Sequence, residues 1–149
     1  MISIAVISQK GGVGKTTLMT AFAAYAAGAG QRAWVIDMDP LNASAFRWGE
    51  ERANHHPEAP LVHVEMAHNA LTLSRALEAA RRDRAGAILI DTPQGTGDVH
   101  FTAIAGAHLV LVPCLPSFFD ANAILLTLER AAKEGKPVYV VFTDVEPGD

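Results

Sequence analysis

Hydrophobic positions alternate between two rhythms along this chain. Short, near-continuous apolar runs occupy Ile2–Ser8, Ala33–Asp37, Leu61–Glu65, Ala87–Asp91, His108–Pro113 and Val138–Phe142. They have strand length and little in–out alternation, the pattern of strands covered on both faces. Longer stretches with helical spacing lie between them, at Lys15–Ala29, Ala43–Asn54, Leu71–Arg82, Asp98–Ala105 and Asp120–Glu134. Gly28 and Gly30 stop the first of these, and Gly135 with Pro137 stops the last. Asp120 has the side chain of an N-cap for the last helix. The β-α-β-α rhythm predicts a doubly wound α/β domain, a mostly parallel sheet with helices on both faces. In such a sheet ligands bind at the carboxyl ends of the strands.

Length and composition narrow the class. The 149 residues are one domain's worth of chain, read as a single domain over 1–149. Half the residues are hydrophobic and 19% are charged, an ordinary globular balance. The net charge of −4 does not advertise nucleic acid as the main partner. One cysteine excludes a disulfide framework and any cysteine-rich metal or iron–sulfur site made by one chain. The N-terminal segment lacks a charged lead before its apolar run, unlike a signal peptide. No apolar run approaches the roughly 18 residues of a membrane span. These features read as a soluble, cytoplasmic protein. Only TDVEPGD follows the last predicted strand. The closing helices that would cover that sheet edge are therefore missing from this reading: either another chain covers the edge or the protein is shorter than its relatives.

The strongest chemical signal is Gln9-Lys10-Gly11-Gly12-Val13-Gly14-Lys15-Thr16-Thr17, between a predicted strand and a predicted helix. That is the context of a phosphate-binding loop. Gly11, Gly12 and Gly14 let the backbone turn tightly and aim N–H groups at phosphate oxygens. The helix beginning near Lys15 adds its positive dipole end. Lys15 would reach the β- and γ-phosphates, and Thr16 would place its hydroxyl on Mg²⁺. The standard spacing wants glycine six residues before the lysine. Here that residue is Gln9, and a second lysine, Lys10, precedes the glycines. Asp37 and Asp39 end the second strand, and Asp91 ends the fourth, so their carboxylates should emerge beside the loop. A strand-end aspartate there can hold a water of Mg²⁺, the role assigned to Asp91. The strand bearing Asp91 should neighbour Ile2–Ser8, because both must touch one Mg-nucleotide.

Taken together, KGGVGKTT, IDMDP at 36–40, ILIDTP at 88–93 and VPCLPSFFD at 112–120 resemble the ParA/MinD family of deviant Walker A ATPases, closest to short ParA-type partition ATPases. The stretch from Ser44 to Trp48 is similar to these proteins as well. The resemblance implies ATP and Mg²⁺ as cofactors. It implies that Asp39 positions the attacking water, that Asp37 supports the outer shell of the metal, and that Lys10 contacts the nucleotide of the opposite subunit in an ATP-bound homodimer. It further implies a slow ATPase acting as a dimerisation switch, in plasmid or chromosome partitioning or the positioning of another cargo. A ParB-like or other partner would stimulate hydrolysis. Lys10, Lys15 and Asp39 are then the catalytic candidates, with Gly11, Gly12, Val13, Gly14, Lys15, Thr16 and Thr17 around the phosphates and Thr16, Asp37 and Asp91 at the metal.

The base side is read less directly. GTP-selective relatives carry Asn-Lys-x-Asp after a late strand, and Thr143-Asp144-Val145-Glu146 lacks the Asn and Lys, which favours adenine. Thr143 opens that stretch and, with Pro113 in the loop that resemblance brings near the nucleotide, is the base-side candidate. The chain departs from the family in two switch-like loops. The usual DPQ reads Asp39-Pro40-Leu41, and the usual DTPPG reads Asp91-Thr92-Pro93-Gln94-Gly95. Phe118 and Phe119 stand where relatives carry a small or apolar residue and read as helix-start hydrophobics. Arg81, Arg82 and Arg84 read as solvated charges at a helix end, with a phosphate contact to non-specific DNA as the alternative. ParA-like proteins carry such DNA-binding residues mostly in a C-terminal part that has little counterpart here. The other functional reading is therefore a nucleotide-binding regulator or scaffold without partition activity. A MinD-type membrane role needs a C-terminal amphipathic helix, and the iron-protein relatives need cysteines. Neither feature is seen.

Overall fold

The computed structural model describes residues 1–57, 61–116 and 121–143, and the side chains of 121–123 are not described. The strands are β1 (Ile2–Ser8), β2 (Ala33–Asp37), β3 (Val62–Met66), β4 (Ala87–Gln94), β5 (Leu109–Cys114) and β6 (Val138–Phe142). The helices are α1 (Lys15–Gly28), α2 (Ser44–His55), α3 (Ala70–Arg82), α4 (Asp98–Gly106) and α5 (Ala121–Lys133). Asp120, Phe118, Phe119, Asp144 and Glu146 lie outside the described residues.

The six strands form one sheet in the order β3-β2-β4-β1-β5-β6, and every pairing is parallel. The strand order reverses at β1, where the chain leaves leftward through α1 and later returns rightward through β4, which is the switch point of a doubly wound sheet. The alternation of buried residues shows the two layers. Ile7, Ile36, Ile88, Ile90 and Val110 pack with Leu73, Leu77, Ala103, Ile104 and Ile124 of α3, α4 and α5. Val6, Val35, Leu89 and Leu111 face the other way, onto Met19 and Ala23 of α1 and Ala45 of α2. Both faces of the central strands are thus apolar, as parallel strands require.

The edges depart from that pattern. In β6, Tyr139 and Phe142 are about half exposed. In β3, His63 is exposed and Glu65 is half-buried, and the two pair with each other at 3.2 Å. Edge strands have one neighbour and thinner cover, so continuous apolar character is not needed there. The starting residue of α3 is set by a capping box that hydrophobic periodicity does not reveal. The Asn69 side chain accepts from Thr72 N at 2.9 Å, and the Thr72 hydroxyl accepts from Asn69 N at 3.0 Å. The fourth strand also runs three residues past Asp91, to Gln94. A register shift between Val6 and Ser8 of β1 accommodates the extension.

Candidate nucleotide site

β1 and β4 are neighbours with Val6 opposite Asp91, so the loop leaving β1 and the carboxylate ending the apolar part of β4 meet at one sheet edge. The loop then enters α1 through Gly14, whose φ of 78° lies in the left-handed region, as does the 75° of Gly12. A Cβ at Gly14 would also touch the Thr143 side chain at 3.6 Å. Any other residue here must pay backbone strain of roughly 1–2 kcal/mol. We expect Gly14→Ala to lower the melting temperature and to weaken nucleotide binding together, a pairing that calorimetry and a binding titration on one sample would check.

No side chain caps the N-terminus of α1 and no acidic residue stands in its first turn. The first helical bond is Leu18 N to Gly14 O at 2.8 Å. The N–H groups of Lys15, Thr16 and Thr17 precede that bond, so they are the orphan donors of the helix start. With the dipole they make a cradle for an anion. Lys15 and Thr16 both turn to Asp91. The Lys15 ammonium forms an ion pair and hydrogen bond with Asp91 Oδ1, and the Thr16 hydroxyl donates to Oδ2 at 3.3 Å. A lysine, a hydroxyl and a carboxylate converging at the foot of a glycine loop fit a phosphate chain with a hard cation. Mg²⁺ prefers such oxygen donors and keeps several waters.

Asp91 is buried, and that burial pushes its carboxyl above the ordinary aspartate range, outweighing the pull of the Lys15 charge and hydrogen bond, with the nearby Asp37 charge adding to the rise. A raised folded-state value stabilises the protein most below the unfolded aspartate value, and that contribution is lost as pH rises through the folded value. In metal- and nucleotide-free protein, the stability of wild type relative to Asp91→Asn should therefore fall as pH rises through this window and then level off. Thermal melts of the two proteins from acid to neutral pH check the slope. A difference that grows with pH contradicts it.

The other two aspartates are held differently. Asp37 is fully buried, and its carboxylate accepts from Asp39 N at 2.9 Å and from Ala45 N and Phe46 N at 3.1 Å each. It ties the start of α2 to the end of β2, filling the capping role that Ala43 at φ 44° has no side chain to fill. The outer-shell role implied for Asp37 thus meets a carboxylate already committed to three backbone amides. Asp37→Ala should destabilise the protein by about 2–3 kcal/mol, because hydrogen bonds to a charged acceptor are lost in a buried place. Urea unfolding would measure it. Asp39 lines the cleft, accepting from Leu41 N and Asn42 N at 3.2 Å and from Asn42 Nδ2 at 2.8 Å.

The phosphate-side cleft has a volume of about 250 Å³, and Lys10, the loop from Gly11 to Thr17, Asp39, Asn42, Ser44 and Gln94 line it. A second hollow of about 480 Å³ shares Gly12, Val13, Gly14 and Thr17 with it and continues to Leu18, Ala21, Leu115 and Thr143. The two hollows flank the glycine loop on either side. Thr143 stands beside the loop because its hydroxyl donates to Val13 O at 2.9 Å. Pro113 is not among the residues lining either hollow. β5 runs on to Cys114, so Pro113 is a buried strand residue paired with Val141 and lines a separate hollow with Lys10 and Val13, while Leu115 lines the second hollow. Asn42 was not singled out by the sequence, although a side-chain amide three residues after Asp39 is a recognisable Asx-turn partner. Ser8 also lines the cleft, with its buried hydroxyl lacking a partner among the described residues.

A glycine loop opening a helix at the switch point of a parallel sheet, with lysine and threonine turned to a strand-end aspartate, defines a phosphate-loop nucleotide-binding domain. The family model for the CobQ/CobB/MinD/ParA nucleotide-binding domain matches residues 4–149, and the chain belongs to that family. It is 31% identical over 152 residues to the chromosome-partitioning ATPase Soj of Thermus thermophilus, covering 85% of this chain and 61% of Soj. It is 32% identical over 120 residues to protein virC1 of Rhizobium radiobacter, covering 80% of this chain and 52% of that protein. The chain therefore spans a little over half the length of these relatives. A plasmid partition protein from Borrelia burgdorferi has the same fold with a TM-score of 0.77 at 18% identity, over 99% of this chain and 80% of that one. So does the cobyrinic acid a,c-diamide synthase of Mycobacterium smegmatis with bound ATP analogue and magnesium, with a TM-score of 0.77 at 18% identity, over 100% of this chain and 75% of that one. Among the described residues, no helix is long and apolar enough to cross a membrane.

Proposed function

We propose that this domain binds Mg-ATP, hydrolyses it slowly, and uses the γ-phosphate as the signal for a ParA-like dimerisation switch in partitioning DNA or positioning another cargo in the cytoplasm. The observation that carries the reading is the convergence of Lys15 and Thr16 on Asp91 at the foot of a glycine cradle. The partition ATPase among the similar proteins supports the cargo class. Lys15 and the first-turn amides of α1 would hold the phosphates, Thr16 and Asp91 the metal and its waters, and Asp39 the attacking water. Mg²⁺ supplies charge neutralisation on the phosphates when bound.

Lys10 lines the phosphate-side cleft. The resemblance to ParA/MinD ATPases implies that Lys10 reaches the nucleotide of a second subunit facing this one, which would make ATP the glue of a two-fold dimer. Loss of the γ-phosphate would then release the subunits, helped by a ParB-like or other stimulating partner. Light scattering on Asp39→Ala with Mg-ATP and with Mg-ADP tests the switch. A mass that doubles only with ATP supports it. A monomer in both, with ATP bound, would favour a nucleotide-binding regulator or scaffold.

A further inference from the structure

The extension of β4 past Asp91 brings Gln94 into the phosphate-side cleft, on the glycine loop. Its backbone is pinned on both sides. The carbonyl of Pro93 bonds to Nε2 of the buried His100 at 2.9 Å, and Gly95 N donates to Ser8 O at 3.0 Å. The side chain is exposed, and among the described residues it makes no hydrogen bond of its own. Its Oε1 lies so close to Gly11 that a Cβ there would stand 2.5 Å from it. A fixed backbone thus presents a free carboxamide against the loop that would hold the terminal phosphates, in the cleft that Asp39 and Asn42 also line.

We infer that Gln94 is a water-positioning residue for ATP hydrolysis, its amide oxygen accepting a hydrogen bond from the attacking water and its amide nitrogen donating to a γ-phosphate oxygen. This rests on the ATPase reading above. In the reaction the water oxygen bonds to the γ-phosphorus. The bond from that phosphorus to the β–γ bridging oxygen breaks, and its electron pair leaves with ADP. The water's proton passes to the inorganic phosphate. Gln94 neither gains nor loses a proton, since a neutral amide is a poor base. It lowers the barrier by holding the nucleophile in line and by meeting charge on the transferring group. A carboxamide suits both tasks, being acceptor and donor within one rigid plane. A Cβ at Gly11 would require this amide to move away from the loop.

The test compares wild type with Gln94→Ala and Gln94→Glu in steady-state Mg-ATP hydrolysis and in direct binding of a non-hydrolysable ATP analogue. Wild-type turnover is measured first, and its absence would overturn the ATPase reading and this inference with it. Given turnover, Gln94→Ala should lower kcat by about tenfold or more while binding the analogue within about twofold of wild type. Gln94→Glu keeps the shape but places a charge against the phosphate. Its kcat relative to wild type should be low at neutral pH and recover toward acid pH, where the carboxyl regains a proton to donate. A structural role would not give that recovery. A kcat for Gln94→Ala within twofold of wild type overturns the inference. So does a loss of analogue affinity matching the loss of kcat, which would make Gln94 only a support for the loop at Gly11.

Discussion

Asp39→Asn should bind ATP as wild type does and hydrolyse it roughly 10²–10³-fold more slowly, the range seen when a charge-stabilising group is removed from a preorganised site. The asparagine is the informative variant. The Asp39 carboxylate accepts from Leu41 N, Asn42 N and Asn42 Nδ2, so it also builds the turn between β2 and α2. An asparagine oxygen can still accept from those backbone amides, whereas alanine cannot. If Asp39 matters through its charge at the attacking water, Asn and Ala lose turnover alike. If it matters only through the turn, Asn keeps turnover and Ala loses it. Single-turnover hydrolysis with saturating Mg-ATP separates the two, and melting curves show whether either variant loosens the fold. A fully active Asp39→Asn would remove Asp39 from the chemistry.

Lys15→Ala should lower ATP affinity by roughly 100-fold, about 3 kcal/mol, the upper range for a charged hydrogen bond lost in a partly buried place. Lys15 opens α1 and lines the phosphate-side cleft, and its side chain is only 13% exposed. The ammonium is held by Asp91, so phosphate must compete for it. Mg²⁺ arriving at Asp91 and Thr16 would release it. The affinity loss should therefore be larger with Mg²⁺ than with a chelator present. Titrations of a fluorescent ATP analogue in both conditions measure the difference. The same variant leaves Asp91 buried without its cation, which should push that carboxyl higher still.

Much of the fold was legible because its signals are local. Ile2–Ser8 and Ala33–Asp37 are too short and too apolar for surface helices, and both occur as strands over those very residues. The glycines of Gln9–Thr17 and the alternation of strand with helix together point to one architecture. Adjacency of the Asp91 strand and β1 followed from chemistry, since one Mg-nucleotide needs both. The start of α3 was not legible in the apolar pattern, because polar side chains at Asn69 and Thr72 decide it.

The sequence by itself determined the class of site: a glycine loop, a lysine and threonine opening a helix, and acidic strand ends, all readable because backbone conformation and residue type act within a few positions. Only the tertiary structure decided that Lys15 itself turns to Asp91, because a side-chain pairing between residues so far apart in the chain leaves no local signal. It also decided that Asp37 is spent on backbone amides while Asp39 faces the cleft. Two aspartates two positions apart at a strand end differ only in which way the chain turns after them. Gln94 reaches the phosphate loop, and Pro113 stays in the sheet, for a similar reason. The length of a strand at its end is set by the register of its neighbours, here the shift opposite Ser8 and the pairing of β5 with β6 through Cys114, and pairing partners far apart in the chain leave no mark in local sequence.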